Sequence, residues 1–497
     1  MKTIITCTFV VLLTTLAAAA TWSVAPDGTG DAATIQAALD LAAPGDIIEL
    51  GDGVFTGPGN RDLDFGGKAV TVRSQSGQAD ACVIDCQGTV DDHHRGFWFH
   101  GGETADARVE NLTITGGYLE ADSPLPDGLG GAIMVMAESA PTLSGLILRE
   151  NSGMSGGAIC IWEGDPVIER CLFVDNSGWW GSGGAIALYF ATVSTPIADC
   201  EFHGNWSIQA GGAISSSTSE FALERCIVAD NALDHGNGGG LECFSESSVQ
   251  VTECTFARNT AGSGGGAMIA WDSFATFQRC TFSENVADLG GSGLCSDGSD
   301  VRVTQCIIAF GDGASVALED GGTVSIDCTD IYGNDGGDWV DAIAYQGNQA
   351  FNRSVDPLFC GDANPEEPYT LQPASPCVPG QYPCVQLGAW PVGCGTTAVQ
   401  PPSVGGVLTL HGASPSPFNP RTSVVFSLQQ EARVEIAVYD TRGRRIAVLA
   451  DGVFAVGRAS VDWNGRDAAG RDVPSGTYLV TARSAGESQT RKAVLVR

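Results

Sequence analysis

The densest cluster of reactive side chains in this sequence is Asp91-Asp92-His93-His94-Arg95. Carboxylates beside imidazoles supply acid–base pairs or metal ligands, so Asp91, Asp92 and His93 are candidates for catalysis, against the commoner outcome that such a run is a solvated loop. A second charged series recurs at long intervals, always directly before a cysteine: Arg170, Asp199, Arg225, Glu253, Arg279 and then the uncharged Gln305. Alternating signs suit pairing between neighbours in space. An acid–base site would draw on the same residues, foremost Arg170, Asp199 and Arg225.

The aromatic residues form rows of their own. Trp162, Tyr189 and Trp271 each stand five residues after a Gly-Gly pair, with Ser217, Ser245 and Ser296 at the same offset between and after them. Glu163, Asp165, Asp272 and Asp297 follow closely, while Trp179, Trp180 and Trp206 sit in another recurrent segment. Flat rings beside carboxylates suit sugar rings and their hydroxyls; the alternative is that they cover an exposed edge. The H-E-x-x-H metal helix and the phosphate-cradling loop are missing, and six His with scattered Ser give no triad signal.

These residues must be positioned by a repeat. A Gly-Gly pair followed by small and apolar residues recurs, with second glycines at Gly131, Gly157, Gly184, Gly212, Gly240, Gly266 and, more loosely, Gly291. Each unit continues with an apolar-x-x-Cys-x-apolar step, such as Ile168/Cys171/Phe173 and Phe277/Cys280/Phe282, and with an Asn five residues after the Cys position (Asn151, Asn176, Asn205, Asn231, Asn259, Asn285). A unit this short cannot close a core alone, so units must stack. Stacking as coils of a parallel β-helix sets equivalent residues about 4.8 Å apart. Inward Ile, Cys and Phe then form ladders, and Asn forms a ladder in a tight turn that its side chain tolerates.

That reading assigns Cys171, Cys200, Cys226, Cys254, Cys280, Cys306 and Cys328 to one inward position as structural thiols. Cys360, Cys377, Cys384 and Cys394, in a loop-rich segment, are the disulfide candidates, with Cys82 and Cys86 a weaker pair. At the start, residues 33–43 form an amphipathic helix with Ile35, Ala38, Leu39 and Leu41 as its stripe and Asp31 as its N-cap, suited to covering the first coil.

Composition narrows the rest. The chain has 497 residues with 66 Gly, 43% hydrophobic residues and a net charge of −33. It is too apolar to be disordered and too acidic for a phosphate backbone, so no nucleic-acid partner is expected. Residues 1–401 hold 13 basic and 50 acidic side chains and residues 402–497 hold 12 and 8, a shift that marks two separately built domains. Met1-Lys2, the apolar run Ile4–Leu16 and Ala17–Ala20 read as a signal peptide over residues 1–20, cleaved between Ala20 and Thr21. No later run has the length of a transmembrane span.

Val24-Ala25-Pro26-Asp27-Gly28-Thr29-Gly30, Thr34-Ile35-Gln36-Ala37-Ala38 and Gly45-Asp46 resemble the opening of pectin-lyase-like right-handed β-helix proteins. The Gly-Gly-Ala-Ile units are similar to those of bacterial surface and secreted β-helix proteins, and Asp330-Ile331-Tyr332-Gly333-Asn334 with Asp356-Pro357-Leu358-Phe359-Cys360 resembles their closing segment. The resemblance implies an all-β fold, a right-handed parallel β-helix with an N-terminal capping helix over residues 21–395 and a Cys-rich C-terminal cap. It implies no single activity, because this fold carries lyases, hydrolases, adhesins and inert stalks. In a β-helix lyase an Arg of the alternating series would act as base beside calcium-binding carboxylates.

Residues 396–412 read as a linker, and residues 413–497 as a small antiparallel sandwich of short alternating strands. Pro417-Phe418-Asn419-Pro420, Tyr439-Asp440, Trp463-Asn464-Gly465-Arg466-Asp467 and Pro474-Ser475-Gly476-Thr477-Tyr478 resemble the C-terminal sorting domain of type IX secretion cargo, which is related to a flagellar-hook-assembly immunoglobulin-like domain. The resemblance implies secretion machinery as a partner of residues 413–497, and release or display at a bacterial surface.

The preferred expectation is a secreted or cell-surface protein that binds extracellular polysaccharide or another cell without catalysis. A polysaccharide lyase or glycoside hydrolase, and a passive stalk, are the alternatives. No ligand set with calcium-loop spacing is visible, so no resident cofactor is expected; calcium is the one ion that the acidic surface suits.

Overall fold

The computed structural model describes residues 19–495 apart from 120–127, 180, 193, 362–363, 365–366, 381–383, 385, 395–407, 415–420, 429–431, 441–443, 455–456, 469 and 485–486. Residues 1–18 of the signal-peptide segment, most of the linker and Pro417–Pro420 therefore lie outside the described residues. The chain divides into two compact units, Met1–Pro357 with Ser375–Pro391, and Leu358–Ala374 with Val392–Arg497.

The first unit is a right-handed parallel β-helix built of three long parallel sheets, with 12, 15 and 11 strands among the described residues. One coil shows the logic: Ile159–Trp162 lies in the 15-stranded sheet, Val167–Glu169 in the 12-stranded sheet and Leu172–Val174 in the 11-stranded sheet, before Ser177–Gly178 begins the return. Alternation within each strand turns every second side chain inward. Ile133, Ile159, Ile186, Ile214, Leu241, Met268 and Leu294 thus lie in register on successive coils and are all buried. Phe173 stacks on Phe202 at 4.5 Å and Phe256 on Phe282 at 5.2 Å; each fully buried ring is worth roughly 1.5–3 kcal/mol.

The asparagine ladder is built from side-chain amides. Asn205 Nδ2 donates to Asn231 Oδ1 at 2.9 Å and to the Phe173 carbonyl at 3.1 Å, and Asn231 Oδ1 also accepts the Asn205 backbone N–H. The same pattern runs from Asn151 to Asn285. It satisfies turn backbone groups that would otherwise be buried unpaired. The second glycine of each pair is required by close approach: a Cβ on Gly157 would lie 2.3 Å from the Gly184 carbonyl oxygen of the next coil.

Several expected positions shift by one. Leu241 registers with Ile214, so the second glycine of that coil is Gly239, with Gly240 in the alanine place. In the next-to-last coil irregular pairing places Ser292, not Gly291, opposite Gly266. Cys328 does not belong to the thiol ladder. It occupies the left-handed turn position (φ 49°), and Thr329 takes the inward place, its hydroxyl accepting the Cys306 N–H. The helix spans Ile35–Leu41 and is capped by Thr34, which accepts from the Ala37 N–H, because Asp31 is engaged by Ser23. Leu41 is exposed and outside the stripe.

Cys328 is joined to Cys384 and Cys360 to Cys394, whereas Cys377 is a buried thiol that donates to Asp330 Oδ2 at 3.2 Å. Cys377 is thus not a disulfide partner: the turn position of Cys328 brings its sulfur to Cys384 instead. Cys82 and Cys86 are separate buried thiols. The ladder sulfurs accept backbone N–H groups from the preceding coil, as Cys200 Sγ does from Cys171.

In the second unit Leu358–Ala374 groups with the residues from Val392, held by the Cys360–Cys394 bond and by Gly393 N–H on the Leu371 carbonyl. Its C-terminal part is a sandwich of a three-stranded sheet (Leu408–Ser414, Thr422–Leu428, Gly457–Trp463) and a four-stranded antiparallel sheet (Arg445–Phe454, Ala432–Asp440, Gly476–Ser484, Glu487–Leu495). The motif residues build it: Trp463 is buried, donates to the Arg466 carbonyl and packs edge-on against Tyr478 at 5.1 Å.

Candidate functional site

The outward side chains of the 15-stranded sheet form two columns. In the first, Met134, Cys160, Ala187, Ser215, Glu242, Ile269 and Cys295 are in register and buried. Glu242 is its one carboxylate, 4% exposed, with Ser215 Oγ 3.4 Å away, and burial pushes its pKa up to about 8. Two residues further along each strand, Met136, Trp162, Tyr189, Ser217, Phe244, Trp271 and Asp297 form the second column, at the edge where the chain turns.

This column gathers the expected Trp162, Tyr189 and Trp271. Trp162 packs on Tyr189 at 5.3 Å and on Phe190 at 5.5 Å, the Tyr189 hydroxyl donates to Ser155 Oγ at 3.0 Å, and Trp271 is 49% exposed. The sequence frame missed Phe244 and Asp297, giving Ser245 and Ser296 in their place, because it counted from Gly240 and Gly291. The aromatic column therefore has one more ring than the sequence showed. Trp179 and Trp206 lie in the turn after the asparagine ladder and meet edge-on at 5.5 Å, with Trp206 Nε1 donating to Asp234 Oδ1 at 3.2 Å. Trp180 lies outside the described residues.

The turn beyond the second column is acidic and carries a serine ladder: Ser219 N–H donates to Ser247 Oγ, Ser247 N–H to Ser273 Oγ and Ser273 N–H to Ser299 Oγ. Against it opens a shallow groove of about 950 Å³ whose lining includes Thr218, Glu246, Ser248, Asp272, Phe274 and Asp300.

A separate polar cluster lies on earlier coils. His94 is held between two carboxylates, Nδ1 at 2.6 Å from Asp62 Oδ2 and Nε2 at 3.0 Å from Asp92 Oδ1. Arg61 approaches Asp92 at 3.6 Å, the Arg95 N–H donates to Asp62 Oδ1, and the Arg95 guanidinium lies over Trp98 at 5.4 Å. Of the expected residues, Asp92 joins this cluster, His93 faces Tyr118 at 6.2 Å and Asp91 is exposed. Asp62 was invisible as a partner because a full coil separates it from His94. Imidazole beside carboxylate is a pairing that acid–base chemistry uses.

Two pairs of the alternating series, Asp199 with Arg225 and Glu253 with Arg279, are ion pairs between coils. Arg225 grips Asp199 with two contacts of 2.7 and 2.9 Å and also bonds Glu224, while Arg170 bonds Glu169 at 2.5 Å and Ser144 at 2.7 Å. Hydrogen bonds from Arg225 hold the Asp199 carboxyl below its usual range. All three sit in left-handed turns (φ 52–54°). Among the described residues no group of three or more His, Cys, Asp or Glu is arranged to hold a metal ion. No helix among them is long and apolar enough to cross a membrane.

The chain is similar to known proteins over parts of its length. The chain is 29% identical over 153 residues to metabotropic glutamate receptor-like protein R of Dictyostelium discoideum, a match covering 30% of this chain and only 9% of that relative. A solved structure of pectate lyase Pel9A superposes with a TM-score of 0.42 at 12% identity, over 76% of this chain and 97% of that one. Residues 197–347 match the family model of the right handed beta helix region, and residues 418–488 that of the FlgD Ig-like domain.

Proposed function

We propose that this protein is a secreted or cell-surface β-helix protein that binds extracellular polysaccharide along its aromatic column, without catalysis. One observation carries the reading: Trp162, Tyr189, Phe244 and Trp271 occupy a single outward column on stacked coils, with Trp271 half-exposed. Rings carried on the coils of a rigid sheet present apolar surface at a fixed pitch, which suits the faces of sugars along a chain. Export is proposed from the apolar N-terminal run with cleavage between Ala20 and Thr21, and passage through secretion machinery from the motifs of residues 413–497. N-terminal sequencing of protein recovered from culture medium tests both; an intact Met1 terminus on cell-internal protein overturns them.

A glycan array with the purified chain tests the binding. Polysaccharide retention that Trp271→Ala and Trp162→Ala each weaken at least fivefold supports it, and retention unchanged in both variants overturns it. The second reading, a lyase or hydrolase, is favoured by His94 between Asp62 and Asp92. It requires new unsaturated or reducing ends on a polysaccharide panel and their loss in His94→Gln.

A further inference from the structure

The charge around the aromatic column says which polysaccharide it takes. Five of the turns that border the column, residues 136–140, 162–166, 244–248, 271–274 and 297–300, contain Glu138, Glu163, Asp165, Glu246, Asp272, Asp297 and Asp300 and no Lys or Arg. The turn before the cysteine ladder is built differently, because there each acidic residue meets an arginine one coil away, as Asp199 meets Arg225 and Glu253 meets Arg279. The same fold thus pairs the charges of one turn within the turn and builds the other without a basic residue of its own. Like charges on adjacent strands repel at about 4.8 Å spacing, so this edge gives up stability that the other turn keeps.

Asp297 lies among several acids. It stands in register beside Trp271, its Oδ1 is buried with no hydrogen-bond partner, and burial with Asp320, Glu319 and Asp272 nearby raises its pKa. The basic side chain near this stretch, Arg302, lies over Phe274 at 5.2 Å and 3.6 Å from Asp300. A polyuronate laid on these rings would bring carboxylates against carboxylates. A chain of amino sugars would bring ammonium groups to the same oxygens, and the coil spacing is close to the rise of one sugar in an extended β-linked chain.

We infer that the aromatic column binds a polysaccharide whose sugars carry free amino groups, with rings on Trp162, Tyr189 and Trp271 and ammonium groups at Glu163, Asp272 and Asp297. This rests on the reading of the column as a polysaccharide site. Recognition then depends on both parts, since stacking sets the register and paired charge sets the choice of sugar.

The test is calorimetric titration of the full chain with four probes of equal length: a glucosamine hexamer, its fully N-acetylated form, a galacturonate hexamer and a lysine hexamer. The glucosamine hexamer is expected to bind at least tenfold more tightly than each of the others, and to weaken as salt rises. Asp272→Asn combined with Asp297→Asn should remove that preference, with circular dichroism unchanged. Equal binding of the amine and N-acetyl forms, or preference for galacturonate, overturns this inference and leaves the polysaccharide site standing. Equal binding of the lysine hexamer overturns it as plain charge attraction. Binding of none of the probes overturns this inference, and the array with Trp271→Ala decides the site itself.

Discussion

Trp390 Nε1 donates to Thr255 Oγ1 at 2.6 Å, across 135 residues of sequence. One residue earlier the Ala389 N–H donates to Thr281 Oγ1, and the Gly388 N–H to the Gln305 carbonyl. Thr255, Thr281 and Ile307 are register partners on the outward face of the 11-stranded sheet. Residues 388–390 therefore climb back over three coils as a strap, and they bury Thr255 and Thr281 that would otherwise face water.

Trp390→Ala should loosen this strap. Loss of the ring and of the Thr255 bond is expected to cost about 2 kcal/mol, with faster amide exchange confined to residues 250–310. Chemical denaturation and exchange mass spectrometry read both, and a change under about 0.5 kcal/mol would remove the strap's structural weight.

Gly212→Ala should be far more damaging than its chemistry suggests. The added Cβ would sit 2.1 Å from the Gly239 carbonyl oxygen, and backbone on both sides cannot withdraw. A cost of at least about 3 kcal/mol is expected. Gly452→Ala, in the sandwich with nothing within 4 Å, should change stability little; equal effects of the two would refute the close-approach argument.

Stability should fall as pH rises because of Glu242. Its pKa is about 8 in the folded chain against a model-compound value of 4.5, so between these the folded state holds a proton that the unfolded state gives up. The contribution is complete below about pH 4.5 and is lost as pH rises through 8. Glu242→Gln should flatten the urea midpoint between pH 5 and 9 and exceed the parent at pH 9. A parent midpoint that does not fall over this range would contradict the burial.

Cysteine mapping separates the turn position from the ladder. Peptide mass analysis without reductant should find Cys328 with Cys384 and Cys360 with Cys394. Cys377 and the ladder thiols should label only after unfolding, since all are buried and burial pushes Cys254 and Cys280 up. Rapid labelling of the native chain at Cys200 or Cys254 would show an open solenoid.

Much of this fold was legible in the spacing alone. Recurrent Gly-Gly, Cys and Asn positions determined stacked coils, because each residue type solves a local problem that recurs once per turn: close backbone approach, a small apolar filler and an amide that satisfies turn backbone. The frame slipped by one residue at Gly239 and Ser292, late at the first and early at the second, since spacing counts residues while register follows hydrogen bonds.

Residue order alone reveals the regular features: the solenoid, its inward ladders and the alternating charges, with the alternating strands of the antiparallel sandwich after them. The contacts that appear only once the chain is folded are aperiodic. Phe244 entered the aromatic column, Asp62 met His94, Cys328 met Cys384 and Trp390 met Thr255. Such contacts join residues from different coils or from the returning strap, and no local rule of spacing encodes a distance that is set by how the whole chain winds and closes.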